Sequence, residues 1–183
     1  MRFESSVSPY IEGSEFDTSL KAKVTGANTR AASRIDYLDE ISMGKQVLHI
    51  GFTDHQESIE AKRPTGQWLH GRLMASATRV LGVDINEKTV RWCESELGIG
   101  DIHVHNVIDD APLAAITETH WDIAILGEIL EHVPNPVAFL QALRKKYGAN
   151  IKRLVVTVPN ATYLENFTMA RRNIELINTD HRY

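Results

Sequence analysis

The sequence predicts an α/β fold in which a mostly parallel, doubly wound sheet lies between two layers of helices, as in Rossmann-like proteins. Short apolar segments such as QVLHI and WDIAIL alternate with longer segments whose apolar residues recur every three or four positions. The first kind of segment is typical of buried strands and the second of amphipathic helices. The length of 183 residues is enough for one domain with a good core.

The first 44 residues differ from the rest of the chain. Residues 1–24 are polar and mixed, and we interpret them as an irregular arm. A helix is predicted over Asn28–Ile41 from the helical spacing of its apolar residues, and Gly44 suits its end. We therefore predict an N-terminal arm and helix over 1–44 and a ligand-binding domain over 45–183.

Five strands and four further helices are predicted in that domain. The strands are Gln46–Ile50, Arg79–Ile85, Ile102–Val107, Trp121–Leu126 and Leu154–Val158. The helices are Leu69–Thr78, Glu87–Leu97 with Asn86 as its cap, Pro136–Tyr147 with Asn135 as its cap, and Leu164 to about Ile177. Val137, Leu140, Leu143 and Tyr147 are expected to lie on one face of the third helix.

Composition disfavours several classes of protein. The net charge is −4 and no long run of basic residues occurs, so we expect no nucleic-acid partner. The single cysteine, Cys93, excludes an internal disulfide. No apolar run approaches 18 residues and the first residues do not resemble a signal peptide, so we expect no membrane association and a cytoplasmic location.

Ligands of such sheets bind beyond the carboxyl ends of the strands, where three positions are candidates. Gly51 follows the first strand, where glycine either lets the backbone approach a ligand or only makes a turn. Asp84 ends the second strand and either accepts hydrogen bonds from a ribose diol or caps the next helix, for which Asn86 is better placed. Asn106 follows the third strand, and its amide either reads an adenine edge or stabilises a loop.

The segment GEILEHVPNP follows the fourth strand and carries Glu128 and His132, which share a face if the segment is helical. Either side chain could meet a substrate, or both could be solvated. His103 and His105 share a face of the third strand and could form a metal pair. Because no third ligand lies near them in the sequence, we predict no metal ligands.

Together these segments resemble the class I S-adenosylmethionine-dependent methyltransferases of the small-molecule type, from about residue 45 to 163. VLHIG resembles the first motif of that family, VLGVDIN the second, and VHNV the segment beside the adenine. WDIAILGEILEHVPNP is similar to the family segment in which Leu-Glu-His precedes a proline, and LVVTVPN resembles the following strand. The resemblance implies S-adenosyl-L-methionine as cofactor, S-adenosyl-L-homocysteine as product, and methyl transfer to an oxygen or nitrogen of a small-molecule acceptor.

The resemblance also implies a role for each matched position. The methionine and ribose would contact Gly51, Phe52 and Thr53, and the ribose hydroxyls would contact Asp84. The adenine would contact Ile85, Asn106 and Val107. The sulfonium would lie beside Leu126, Gly127 and Glu128. Glu128 is a catalytic candidate because a carboxylate favours the positive sulfonium. His132 is the candidate base, since an imidazole suits proton removal from an acceptor hydroxyl.

The first motif departs from the family pattern at three positions. His49 stands where the family has an acid, and Thr53 and His55 stand where it has further glycines. Gly51 and Asp84 are also 33 residues apart (84 − 51), against about 20 in simpler dinucleotide sites. We therefore expect a long loop over Gln56–Gln67, after which Trp68 and His70 are candidates to face the pocket.

The family sheet has seven strands, and the last two are not accounted for here. Either the sheet is shortened, or the chain is part of a longer one, or another chain completes the sheet. Because an unpaired edge invites association, we expect a homo-oligomer or a covered edge. Two other functions stay open: a non-catalytic or regulatory protein that binds S-adenosylmethionine, and an NAD(P)-dependent oxidoreductase, which the lack of G-x-G-x-x-G disfavours.

Overall fold

A computed structural model describes residues 2–3, 5–21, 24–25, 33–160, 163–174 and 181. The chain divides into two compact units, Met1–Tyr37 and Leu38–Tyr183, and the division falls inside helix α2 (Arg34–Ser42). In the first unit, β1 (Arg2–Phe3) pairs antiparallel with β2 (Val24–Thr25). A 3-10 turn and the short helix α1 (Ser8–Ile11) precede β2 in the chain.

The second unit contains a five-stranded sheet in which every strand is parallel to its neighbours. Its strands are β3 (Gln46–Ile50), β4 (Arg79–Asp84), β5 (Ile102–Val104), β6 (Ile123–Gly127) and β7 (Leu154–Thr157). Its further helices are α3 (Gln56–Lys62), α4 (Leu69–Ser76), α5 (Glu87–Leu97), α6 (Ala114–Thr117), α7 (Pro136–Tyr147) and α8 (Leu164–Ala170). The predicted α/β class with a parallel sheet is confirmed, and the arrangement is compatible with a Rossmann-like fold.

The strand order is β5-β4-β3-β6-β7. Within this sheet, the chain passes first through the central strand β3, then outward through β4 and β5, and it returns to the other side of β3 through β6 and β7. This reversal opens a crevice between the loops that follow β3 and β6, which is where open parallel sheets bind ligands.

Helices cover both faces of the sheet because the apolar side chains of each strand alternate between them. On one face Leu48 and Ile50 belong to a buried cluster with Leu143 and Tyr147 of α7. A second cluster joins Phe52 to residues of α3 and α5, including Ile59 and Cys93. The sheet is thus buried on both sides, as its apolar strands predicted.

Helix ends follow the capping residues in the sequence. The side chain of Asn86 accepts a hydrogen bond from the Thr89 N–H (3.2 Å), and that of Asn135 accepts one from the Ala138 N–H (3.0 Å). Both asparagines were predicted as caps, and both predictions are confirmed. Gly98 ends α5 in the left-handed conformation, as glycine commonly does.

Some boundaries differ from the prediction. Helix α3 occupies much of the segment that was predicted to be a loop, and β5 ends at Val104 instead of Val107. Helix α8 ends at Ala170 rather than near Ile177, and residues 28–32 and 175–177 of the predicted helices lie outside the described residues. Of the apolar residues predicted on one face of α7, Leu143 and Tyr147 are buried, whereas Val137 is 65% exposed.

Strand β7 has a single neighbour, β6, in the sheet that the structure describes. Leu154 and Val156 remain partly exposed on it. The expectation that this edge is covered or associates with another chain stays a prediction. Among the described residues, no helix is long and apolar enough to cross a membrane.

Candidate functional site

The turn after β3 depends on Gly51. Its φ of 70° lies in the left-handed region that glycine adopts without strain, and its N–H donates to the Val83 carbonyl of β4 (2.8 Å). A β-carbon on Gly51 would also overlap the side chain of Ile129, which follows β6. The loops on the two sides of the crevice therefore meet at this glycine.

Asp84, at the end of β4, is held by the backbone on both of its oxygens. The Thr53 N–H donates to Oδ2 (2.9 Å) and the Asn86 N–H donates to Oδ1 (2.9 Å). A carboxylate oxygen can accept two hydrogen bonds, so each oxygen keeps one acceptor position. Asp84 is only 9% exposed, and its carboxylate is held in one orientation. It can still accept one further hydrogen bond on each oxygen, as from two hydroxyl groups.

Ile85 follows Asp84 and is 72% exposed. A large aliphatic side chain in this position offers an apolar surface directly beside the carboxylate. A ligand with both a diol and a planar ring could use the two neighbouring groups together. The predicted pairing of Asp84 with ribose and Ile85 with adenine is compatible with this geometry.

Glu128 adopts a backbone conformation that is unusual for its residue type. Its φ is 58°, and its N–H donates to the Thr157 carbonyl of β7 (3.0 Å). A residue with a β-carbon is strained at such an angle, and strain of this kind is concentrated at functional sites. Sequence reasoning selected Glu128 for its charge and had no signal for its conformation.

Asn106 and Val107 are placed differently from what the resemblance implied. The Asn106 side-chain oxygen accepts from the N–H groups of Ile108 (2.9 Å) and Asp109 (3.1 Å), and its amide nitrogen donates to Asp109 Oδ2 (2.9 Å). The amide thus stabilises its own turn, which was the alternative interpretation. The Val107 side chain is buried in the core. The Asn106 backbone also belongs to the turn, because its N–H donates to Asp110 Oδ2 (2.7 Å) and its carbonyl accepts from the Asp110 N–H (3.1 Å).

Two other predicted cofactor contacts also have side chains in the core. Phe52 packs against the His70 ring with centroids 4.5 Å apart, and Leu126 belongs to the cluster beneath α7. Both side chains are buried in the core, so they are not exposed to a ligand at the strand ends. Trp68 and His70, which were candidates to face the pocket, are likewise buried.

His49 replaces the acid of the family motif and lies in the core. Its Nδ1 is 3.2 Å from Nδ1 of His70, so one ring nitrogen donates a hydrogen bond to the other. Burial lowers the pKa of His70 to about 3, which keeps that ring neutral. The pair joins α4 to the centre of the sheet, and His49 has a structural role here.

A group that the sequence analysis missed lies beyond Glu128. The 3-10 turn Leu130–His132 carries Glu131 and His132. A carboxylate oxygen of Glu131, a ring nitrogen of His132 and a ring nitrogen of His181 all lie within 4.8 Å of one another. Glu131 was not among the predicted site residues, although it lies within the predicted segment GEILEHVPNP. His181 is 49 residues beyond His132 (181 − 132), so no local spacing linked them.

The histidine pair that was considered for metal binding has another role. His105 is buried, and its Nε2 is 2.8 Å from the Tyr147 hydroxyl. Burial lowers the pKa of His105, which favours its neutral form. Within the described part of the chain, the side chains close enough together to bind a metal ion are those of Glu131, His132 and His181.

No protein-family model matches the chain, and no curated protein matches its sequence. The resemblance to class I methyltransferases therefore stays a prediction from the motifs.

Proposed function

We propose that the protein binds S-adenosyl-L-methionine and transfers its methyl group to a small-molecule acceptor. The observation that carries this proposal is the Asp84 carboxylate, which two backbone N–H groups fix at the end of β4 beside the Gly51 turn. A ribose diol is the ligand group that such a carboxylate suits. The exposed Ile85 next to it supports the same assignment, because an adenine needs an apolar surface.

When bound, the cofactor supplies an electrophilic methyl group, and the residues of this chain would hold and orient it. Gly51 and Thr53 would bring their backbone close to the methionine and ribose, and Asp84 would accept the ribose hydroxyls. Glu128, which follows β6, would place a negative charge near the sulfonium. Alignment of this kind provides much of the rate enhancement in group transfer.

His132 remains the candidate proton acceptor for an acceptor hydroxyl. It belongs to the 3-10 turn that begins three residues after Gly127, at the carboxyl end of the sheet. For a nucleophile that carries no proton, alignment alone would be sufficient.

Calorimetry on the full chain tests cofactor binding. We expect S-adenosylmethionine and S-adenosylhomocysteine to bind with a stoichiometry of one and NAD not to bind. If a folded protein binds neither sulfur compound, the proposal is wrong. Tight binding of NAD alone would instead favour the oxidoreductase.

A pair of matched variants tests the assigned orientation. Ile85→Ser removes the proposed adenine surface, whereas Val137→Ser changes a similarly exposed residue on α7. Both side chains lie outside the core, so we expect both variants to fold. Ile85→Ser should lower the affinity for S-adenosylhomocysteine about tenfold, and Val137→Ser should leave it unchanged; equal affinities would contradict the orientation.

Turnover separates the enzyme from a binding protein. The formation of S-adenosylhomocysteine should be measured with a panel of phenols, catechols, sugars and small amines. Methyl transfer to any of them supports the enzyme. Binding of the cofactor without transfer to any member would favour the non-catalytic or regulatory alternative.

A further inference from the structure

We infer that Glu131, His132 and His181 form a binding site for a divalent transition-metal ion. The three side chains each offer one ligand atom, and these atoms lie within 4.8 Å of one another. Two imidazoles and one carboxylate are a common ligand set for zinc and for non-haem iron in proteins. The set leaves coordination positions for water or a substrate oxygen.

The geometry needs little change to bind an ion. Ligand atoms about 2.0–2.2 Å from a tetrahedral zinc lie about 3.3–3.6 Å from one another. Side-chain rotations could close the gap from 4.8 Å, since His132 and His181 already contact each other with ring centroids 5.0 Å apart. The two rings meet edge to face, at 83°.

The Glu131 carboxylate gives an independent reason to expect a cation. Glu131 is 7% exposed, and its Oε2 has no hydrogen-bond partner among the described residues. A buried carboxylate oxygen without a partner is costly, because the charge has lost its hydration. A bound cation would supply the missing partner and would neutralise the charge.

The identity of the ligands selects the class of ion. Imidazole nitrogens suit zinc, iron and related first-row metals, whereas magnesium and calcium prefer sites made of oxygen atoms. We therefore expect Zn²⁺ to bind more tightly than Mg²⁺. Binding requires neither cofactor nor substrate, so the inference does not depend on the proposed function.

The position of the site gives the metal a role if the proposed function is correct. The 3-10 turn follows β6 at the carboxyl end of the sheet, which is the end where the Gly51 turn and Asp84 lie. A metal ion there could bind an acceptor hydroxyl and lower its pKa, which favours the nucleophilic oxyanion. His132 would then be a metal ligand rather than the proton acceptor.

Titration of the metal-free full chain tests the site. Calorimetry with Zn²⁺ should show one ion bound, with Mg²⁺ at least about 100-fold weaker. His181→Ala and Glu131→Gln should each weaken zinc binding at least about tenfold. His120→Ala is the matched control, because His120 is an exposed histidine outside the cluster, and it should bind zinc as the wild type does.

A stability measurement separates metal ligation from a structural role. Without metal, Glu131→Gln should not lower the melting temperature, because the substitution removes the charge from a buried carboxylate whose Oε2 has no hydrogen-bond partner among the described residues. With zinc, the melting temperature of the wild type should rise, and that of Glu131→Gln should rise less. The inference is overturned if the wild type binds no zinc, or if His181→Ala and Glu131→Gln bind it as tightly as His120→Ala does.

Discussion

The side chain of Ile129 fills the space that a β-carbon on Gly51 would need. Cγ1 of Ile129 would lie 2.8 Å from that β-carbon, and Cδ1 would overlap it. Gly51 follows β3 and Ile129 follows β6, so the contact joins the two loops that border the crevice. Glycine is thus required at position 51 both by its φ of 70° and by its neighbour.

The double requirement at Gly51 can be divided by mutation. Gly51→Ala should destabilise the protein by more than the 1–2 kcal/mol or so that a left-handed alanine costs. Gly44→Ala is the matched control, since Gly44 has a φ of 68° and open space around its β-carbon position. Denaturant unfolding of both variants should give the larger loss for Gly51→Ala.

The background Ile129→Ala should remove the excess cost at Gly51. In that background Gly51→Ala should be no more destabilising than Gly44→Ala is in the wild type. An undiminished cost of Gly51→Ala in the Ile129→Ala background would show that Ile129 is not the obstacle.

Thr53→Gly should keep cofactor binding, because the Thr53 group that holds Asp84 is its backbone N–H.

The carboxyl edge of the sheet could be predicted largely because local rules place its residues. Strand ends, the Asn86 cap and the Gly51 turn follow from short segments of sequence. The role of Asn106 could not be predicted, because an amide suits a turn and an adenine equally well. Its three hydrogen bonds to the following residues decide for the turn in this structure.

Helix α3 shows where local rules are insufficient. Its sequence, QESIEAK, has one fully buried residue, Ile59, and no apolar period that would indicate a helix. The packing of Ile59 against Phe52 and Trp68 stabilises it, and that contact depends on the tertiary fold. The grouping of His181 with Glu131 depends on the tertiary fold in the same way, across 50 residues of chain (181 − 131).

Glu128 should distinguish a positive ligand from a neutral one. S-adenosylmethionine carries a sulfonium charge, whereas S-adenosylhomocysteine does not, so a nearby carboxylate favours the first. Glu128→Gln keeps the size of the side chain and should lower the affinity for S-adenosylmethionine relative to S-adenosylhomocysteine about fivefold, or about 1 kcal/mol. Calorimetry with both compounds gives the ratio.

Asn173→Gly is a suitable control for the Glu128 measurement, because Asn173 is another residue with positive φ (56°) and is not a predicted site residue. That substitution should leave the ratio of affinities unchanged. If Glu128→Gln weakens both compounds equally, the carboxylate lies away from the sulfonium.

Gly82 should not tolerate a side chain. A β-carbon there would lie 2.9 Å from atoms of His70, Ile102 and Phe52, three side chains that pack tightly over β4. Gly82→Ala should therefore cost about 1–3 kcal/mol of unfolding free energy, as overpacking does. Gly100→Ala is the control, since its β-carbon position is open, and denaturant unfolding should show a much smaller change.

His70 should make stability sensitive to acid. Burial lowers its pKa to about 3 in the folded protein, whereas an unfolded histidine has a pKa of about 6.5. Between these values the unfolded chain binds a proton that the folded chain does not, so stability falls as the pH decreases from about 6.5 to about 3. The unfolding equilibrium should shift by about tenfold per pH unit, and above pH 6.5 the group contributes no pH dependence.

His70→Phe removes this titration and should make the acid dependence shallower by about one proton. Met74→Phe on the same helix is the control, because it adds the same ring at a partly exposed position and keeps His70. Denaturant unfolding from pH 7 to pH 4 measures the slope for each protein. Equal slopes for His70→Phe and the wild type would mean that His70 is protonated in the folded state, despite its burial against Phe52 and Trp68.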